Sequence, residues 1–349
     1  MLILLYILLP FLYLLLISTT EREEDGVVEF NLTGGFLILI LYMFTLIFVE
    51  SNDKPTYLGY YLDAENFYGN YEREFFWGKL QLFLSAALFK NELLYWLFYS
   101  IIYCMGYYAV ANKFFPYPYA GYFVLCVVGC MGFVSYGSNT IRAGFGIALL
   151  LMAFSTNRLW LKILLSVASV GTHLSMLIPV MGYLVARYVV RKTLWCELAW
   201  LLFFVISAAT SVVSDILTLV GDFDTRASEF DLYETIGSYH VGFRVDFILY
   251  SLIPVLFVKY NFRNMLEPSP MYEQIYRMYV LVNALWLLFI RVPYSDRFAY
   301  LSWFLIPFLL LYPVLNGRLD TQHPQRYILR VIGLFVCVGT VLAIKQYAA

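Results

Sequence analysis

Three arginines stand where a guanidinium has no ordinary reason to be. Arg142 lies in Ser138-Asn139-Thr140-Ile141-Arg142-Ala143-Gly144-Phe145-Gly146, at the start of a long apolar run. A cation there must find an anion, and the planar guanidinium fork pairs with two carboxylate or phosphate oxygens at once. The nearby glycines leave room for a ligand or a neighbouring helix. The alternative is an arginine whose stem lies on apolar surface while its head reaches lipid headgroups. Arg291 and Arg297 bracket Val-Pro-Tyr-Ser-Asp, with Asp296 next to Arg297. A proline-containing turn holds two guanidiniums near each other, a pattern that suits a pyrophosphate. A structural Asp296–Arg297 pair is the bland alternative.

His173, in Val170-Gly171-Thr172-His173-Leu174-Ser175, makes a narrow polar break between two apolar runs. An imidazole can accept a proton from a hydroxyl or donate a hydrogen bond to phosphate; as a packing residue it would do neither. The stretch from Gly59 to Phe76 mixes Asp63 and Glu74 with Tyr68 and other aromatics. Aromatic faces and carboxylates together suit a saccharide, the first for stacking on C–H faces and the second for hydroxyl hydrogen bonds. Further along, Arg244 and Asp246 sit at the mouth of another apolar run, either as an orientation-setting pair or as part of a site.

These residues are carried by a chain built for lipid. Of 349 residues, 62% are hydrophobic and 13% charged, too few charges for a water-soluble surface. The net charge of −1 argues against a nucleic-acid partner, which needs a basic face. The five cysteines (Cys104, Cys126, Cys130, Cys196, Cys337) lie in apolar stretches without CxxC spacing and read as packing residues. No P-loop is present, nor any His/Cys/Asp cluster with metal-ligand spacing, so neither a cofactor nor a metal is expected.

Hydropathy predicts an all-α polytopic transmembrane bundle, with spans near residues 1–18, 34–49, 92–111, 118–136, 142–156, 159–172, 174–189, 194–214, 244–259, 275–291, 298–315 and 327–345, about a dozen in one membrane domain. The opening run reads as a retained span, since it lacks a basic n-region and a small-residue cleavage site. Residues 75–89, interrupted by Lys79 and Gln81, read as an amphipathic helix lying along the interface. Basic residues crowd three boundaries: Arg187, Arg191 and Lys192; Lys259, Arg263 and Arg277; Arg318, Arg326 and Arg330. Placing these in the cytoplasm leaves the outer side net negative. The outer loops are then 50–91, 215–243 and 291–297, two of them longer than the ~12–15 residues beyond which loops are usually functional.

In this order and spacing the polar motifs resemble those of the EpsG/Wzy-type bacterial polysaccharide polymerases. An Asp-x-x-x-Tyr-like element followed by Glu-x-x-Phe is matched loosely by Asp63, Tyr68 and Glu74 to Phe76, with Ala64 standing where the family has tyrosine. The Asn-x-Ile-Arg-x-x-x-Ala element is matched by Asn139 to Arg142, with Ala148 two positions late. Ala-x-x-x-His-x-Ser is matched by Ala168, His173 and Ser175 with one extra residue, and a late Asp-Arg by Asp296-Arg297.

The resemblance implies a glycosyltransferase-C-like fold in the bacterial inner membrane and a metal-independent, inverting reaction. A growing glycan would move from undecaprenyl pyrophosphate to the non-reducing end of another lipid-linked repeat unit at the periplasmic face. His173, Arg142 and Arg297 would act in catalysis, while Asp63, Tyr68, Glu74, Asn139, Arg244, Arg291 and Asp296 would bind substrate. Partners would be the lipid-linked oligosaccharide, the bilayer and a chain-length regulator protein. A ligase moving the glycan to another lipid acceptor would use nearly the same chemistry. A lipid-linked glycan flippase would instead show internal symmetry and mid-membrane ionisable groups, and neither is evident in the sequence.

Overall fold

The computed structural model describes residues 27–51, 53–67, 75–210, 242–261, 265–266, 269–291 and 295–348. The expected first span, Tyr68, Glu74 and nearly all of the 215–243 loop lie outside them. The described residues form helices and no strand; one isolated antiparallel bridge joins Met265 and Leu319. In chain order the helices are α1 (Leu32–Phe48), α2 (Lys54–Leu62), α3 (Ala64–Phe67), α4 (Phe75–Ala87), α5 (Glu92–Phe114), α6 (Ala120–Val128), α7 (Met131–Ser138), α8 (Ile141–Ser155), α9 (Leu159–Thr172), α10 (Leu177–Leu184), α11 (Thr193–Ala209), α12 (Val245–Asn261), α13 (Pro270–Leu288), α14 (Ser295–Trp303), α15 (Ile306–Leu315) and α16 (Pro324–Ala348).

Local sequence explains many of the ends. Asn31 caps α1 by accepting the Gly34 N–H at 3.0 Å, and Asn91 caps α5 by accepting that of Leu94 at 3.1 Å; each satisfies a first-turn donor that the helix cannot. Ser269 precedes Pro270 and caps α13 through the Tyr272 N–H, so this helix starts five residues before the hydropathy edge at 275. Its first turn is polar but well capped.

Among the described residues, Glu92–Phe114 and Ser295–Leu315 are each long and apolar enough to cross a membrane. A third candidate is the pair Tyr117–Val128 and Gly132–Ser138, bent by 74°. Here the sequence reading of one continuous helix over 118–136 is corrected. At Gly129 the backbone of Phe335 comes within 3.2 Å of where a Cβ would stand, and Cys130 is extended. Five shorter apolar helices, Leu32–Phe48, Ile141–Ser155, Leu159–Thr172, Leu174–Val189 and Thr193–Ala209, coincide with expected spans. The expected 298–315 span falls within Ser295–Leu315, which holds α14 and α15 with a short turn at 304–305 between them, where Pro307 has no N–H to donate to the Trp303 carbonyl four residues back.

The chain divides into two compact units, the first comprising Met1–Leu177, Asn264–Leu266 and Leu310–Ala349, the second Ile178–Arg263 and Glu267–Leu309. In the first, α5 crosses α8 so closely that a Cβ on Gly106 would lie 2.7 Å from the Ala148 Cα. Stretch 50–91 is no simple loop, since α2, α3 and α4 occupy most of it. The α4 helix carries the Lys79 and Gln81 that interrupt its apolar run. Gln81 is buried, its Nε2 donating to the Tyr99 hydroxyl at 2.8 Å and its Oε1 accepting from the Tyr95 hydroxyl at 3.1 Å, while Phe75, Phe83 and Phe89 are exposed. Two tyrosine hydroxyls satisfy the carboxamide, which removes the cost of burying it.

In the second unit α11, α12, α13 and α14 meet around the fully buried Asn283. Charges collect at the two ends of this unit. Lys259, near the C-terminus of α12, donates to Glu197 at 3.1 Å, and Glu197 also accepts from the Tyr276 hydroxyl at 3.0 Å. Arg277, in the same early part of α13, pairs with Glu273 at 3.3 Å and donates to the Ala186 carbonyl. The other ends of α11, α12 and α13 carry Ala208, Arg244 and Arg291.

Candidate functional site

In the first unit a tight turn delivers Arg142. The Asn139 and Thr140 N–H groups both donate to the Ser135 carbonyl, at 2.8 and 2.9 Å, which ends α7 and swings the chain directly into α8. Arg142 is the second residue of α8, so helix N–H groups without intrahelical acceptors surround its backbone. Gly144 lies against the Tyr136 carbonyl, where any Cβ would collide. The half-buried Arg142 guanidinium sits 5.9 Å from the Tyr57 ring centroid of α2, within cation–π range. Asn139 is half-buried in the turn itself.

His173 is an extended residue (φ −156°, ψ 124°) joining α9 to the 3-10 turn Leu174–Met176, and its carbonyl accepts the Met176 N–H at 2.9 Å. The end of α9 is pinned to α8: Ser169 Oγ donates to the Gly146 carbonyl and Thr172 Oγ1 to the Ser169 carbonyl, both at 2.6 Å. Gly146 lies one helical turn beyond Arg142. Gly171, on the same stretch, packs against Phe76 of α4. The start of α8, the end of α9, α2 and α4 therefore assemble in one place, bringing Arg142 and His173 to neighbouring parts of the first unit.

Beneath them lies an aromatic cluster of Tyr57, Tyr61, Trp77, Tyr95, Trp96, Tyr99 and Phe145. Tyr61 stacks on Tyr95 with centroids 4.1 Å apart, and Trp77 packs edge-on to Tyr57 at 5.9 Å. Sequence reasoning missed Lys54 here. It is 8% exposed, donates to the Leu46 and Ile47 carbonyls at 2.7 and 2.8 Å, and lies 5.0 Å from the Trp96 ring centroid. Burial pushes its ammonium down to about 8, against an opposing pull from Glu92. The only signal in sequence was a lysine immediately before Pro55, which does not distinguish a buried lysine from a surface one. Asp63, at the C-terminus of α2, is exposed and accepts from Asn66 Nδ2 at 2.7 Å.

The remaining candidates belong to the second unit. Arg244 makes a two-pronged pair with Asp246, at 2.9 and 2.6 Å, and lies over Phe247 with its Cζ 3.6 Å from the ring centroid. Arg291 donates to the Ser207 and Ala208 carbonyls at 3.1 and 3.4 Å, satisfying the last turn of α11, and its Cζ is 5.2 Å from the Phe243 ring. Asp296, half-buried, and Arg297, exposed, occupy the first turn of α14. Phe289 stacks on Phe298 at 5.1 Å, tying that turn to the end of α13. Residues 292–294 of the intervening turn lie outside those described.

A family model, the EpsG family, matches residues 31–348, nearly the whole chain. The chain belongs to the EpsG family. No curated protein and no solved structure matches it. Membership together with the apolar helices makes this EpsG-family chain a multi-pass membrane protein of polysaccharide biosynthesis, with a glycosyltransferase-like polymerase role acting on a lipid-linked substrate in a bilayer.

Proposed function

We propose that the protein polymerises lipid-linked oligosaccharide repeat units, moving the growing glycan from undecaprenyl pyrophosphate to the non-reducing end of a second lipid-linked unit at the periplasmic face of the bacterial inner membrane. The chain would work as one integral domain of about a dozen spans with a glycosyltransferase-C-like architecture. The observation that carries this reading is the placement of Arg142 at the N-terminus of α8, over Tyr57 and beside the pinned end of α9, within the stretch that the family model covers.

The reaction needs negative charge neutralised as pyrophosphate departs. A half-buried guanidinium among helix N–H groups supplies that where water is scarce, and there it counts for more than in bulk solvent. In the second unit, Arg297 in the first turn of α14 is the other arginine given a catalytic role. His173 takes the proton of the attacking hydroxyl or holds a phosphate oxygen, inversion follows from direct attack at the anomeric carbon, and no metal is required. Asn139, Asp63, Tyr68, Glu74 and Asp296 are assigned to substrate. Arg244 and Arg291 lie at the same end of the second unit as Arg297, each steadying a helix terminus there. A chain-length regulator protein would be a partner.

Membranes containing the protein, supplied with lipid-linked repeat units from a host lacking it, should yield a polymer ladder. Arg142→Lys should lose activity on the order of 10²-fold despite keeping its charge, because an ammonium does not reproduce the planar two-pronged fork. Transfer of single repeats to a different lipid, without a ladder, would replace this reading by a ligase. Full activity in Arg142→Lys would reduce Arg142 to an anchor.

A further inference from the structure

Asn283 is fully buried in the apolar run 280–286 of α13. A carboxamide without partners there would cost several kcal/mol, yet this one is bonded on both sides. Its Oδ1 accepts from the Trp200 indole N–H at 2.8 Å. Because an indole nitrogen only donates, the oxygen must be the atom facing Trp200, and both amide hydrogens then point the other way. They go to Ser251 Oγ and Ser302 Oγ, each at 3.0 Å. Ser302 sends its own proton to the Ala299 carbonyl at 2.9 Å, which leaves its oxygen free to accept. Ser251 Oγ also receives the Trp303 indole N–H at 2.7 Å, and the Ser251 carbonyl receives the Tyr279 hydroxyl at 2.7 Å.

Four helices thus meet at one side chain, and α14 is held by two adjacent residues, Ser302 and Trp303. That helix is the nine-residue first part of the Ser295–Leu315 span and carries Asp296 and Arg297 in its first turn. Apolar packing alone would fix the roll of this segment, which follows residues 292–294 and precedes the 304–305 turn, only loosely, since dispersion contacts have little directionality. Hydrogen bonds to a buried carboxamide admit one roll and one register. Arg297 lies five residues from Ser302, so any rotation at the anchor is carried to the guanidinium.

We propose that Asn283 is a positioning residue that fixes the roll and register of α14, and through them the aim of Arg297 during glycan transfer. The inference rests on the role given to Arg297 above, and its test separates the two. Spin labels at Arg297→Cys and at the exposed Leu249→Cys of α12, in a Cys337→Ser background, report the placement of α14 without needing activity. The native protein should give one narrow distance distribution; Asn283→Leu and Ser302→Ala should broaden or shift it. Ser302→Ala removes a single bond and a single oxygen, so it tests the idea even where Asn283→Leu does not fold. In the unlabelled protein, Ser302→Ala and Asn283→Leu should lower kcat for polymerisation, on the order of 10²-fold for a misplacement near 1 Å, with KM for the lipid-linked unit unchanged. An unchanged distance distribution in a folded variant, or an unchanged kcat, overturns the proposal. Should the distribution broaden while Arg297→Ala polymerises at the native rate, Asn283 stands as the anchor of α14 and the role given to Arg297 falls.

Discussion

Lys54 shows what burial does to a single charge. Its ammonium satisfies two carbonyls in the last turn of α1, groups that a helix leaves without partners. The folded environment nonetheless lowers its pKa from 10.5 to about 8. The unfolded chain therefore holds this proton more tightly than the folded one. The charge costs stability in full below about 8, and the cost disappears as pH rises towards 10.5, a change of up to about 3 kcal/mol at 1.36 kcal/mol per unit. Lys54→Met should lack this dependence while leaving two carbonyls unsatisfied, at roughly 1–3 kcal/mol each. Thermal denaturation in detergent from neutral pH to pH 10 should show the native protein gaining stability relative to the variant. Parallel profiles would mean that Lys54 is solvated.

His173 separates two roles in the same way. Activity through a base fails as pH falls, whereas activity through a cationic phosphate ligand fails as pH rises. His173→Gln can hydrogen-bond but cannot titrate, so polymer length across pH for both proteins tells the roles apart. A native rate for the variant at every pH leaves neither. The helix-junction positions of Arg142 and His173 were legible in sequence because each is a polar residue at a break between apolar runs. Lys54, Gln81 and Asn283 were not. Their meaning lies in partners far along the chain, such as Tyr99 for Gln81 and Trp200 for Asn283, and one sequence does not show those pairings.

Helices were the most readable level, since apolar runs fix their existence and an Asn or Ser cap fixes several starts. What escaped was set by packing. The break after α6 depends on Phe335 pressing on Gly129, and the buried face of α4 depends on two tyrosines of α5. Close crossings give the sharpest test at this scale. A Cβ on Gly106 would lie 2.7 Å from the Ala148 Cα, whereas one on Gly59 would meet nothing within 4 Å. Gly106→Ala should therefore push α5 and α8 apart and destabilise by roughly 1–3 kcal/mol. The same change at Gly59, in α2, should be neutral or stabilise by up to about 1 kcal/mol through helix propensity. Equal melting temperatures for the two variants would show that the α5–α8 crossing is looser than its geometry.

At the scale of the molecule, sidedness decides whether the assigned residues can work on the same substrate. Within the second unit, Lys259 pairs with Glu197 near the start of α11, and Arg277 reaches the Ala186 carbonyl after α10. At the opposite end Arg291 closes α11 through the Ser207 and Ala208 carbonyls, and Arg244 and Asp246 open α12. The basic boundary carrying Arg187, Arg191 and Lys192 runs directly into α11, so it shares the Lys259 and Arg277 end. Cytoplasmic loops carry the excess of lysine and arginine; on that rule the proposed orientation puts this end in the cytoplasm and the Arg244, Arg291 and Arg297 end outside. A reporter enzyme fused after Lys192 should read cytoplasmic, and one inserted near Glu229, in the segment that follows α11, should read periplasmic. The pair brackets α11, whose 17 residues span about 26 Å at 1.5 Å each, short of a ~30 Å hydrocarbon core by a few ångströms that bilayer thinning or flanking residues can absorb. If both reporters read the same side, α11 does not cross, Arg291 and Lys259 no longer mark opposite faces, and the assignment of Arg297 to an outward-facing site fails with it.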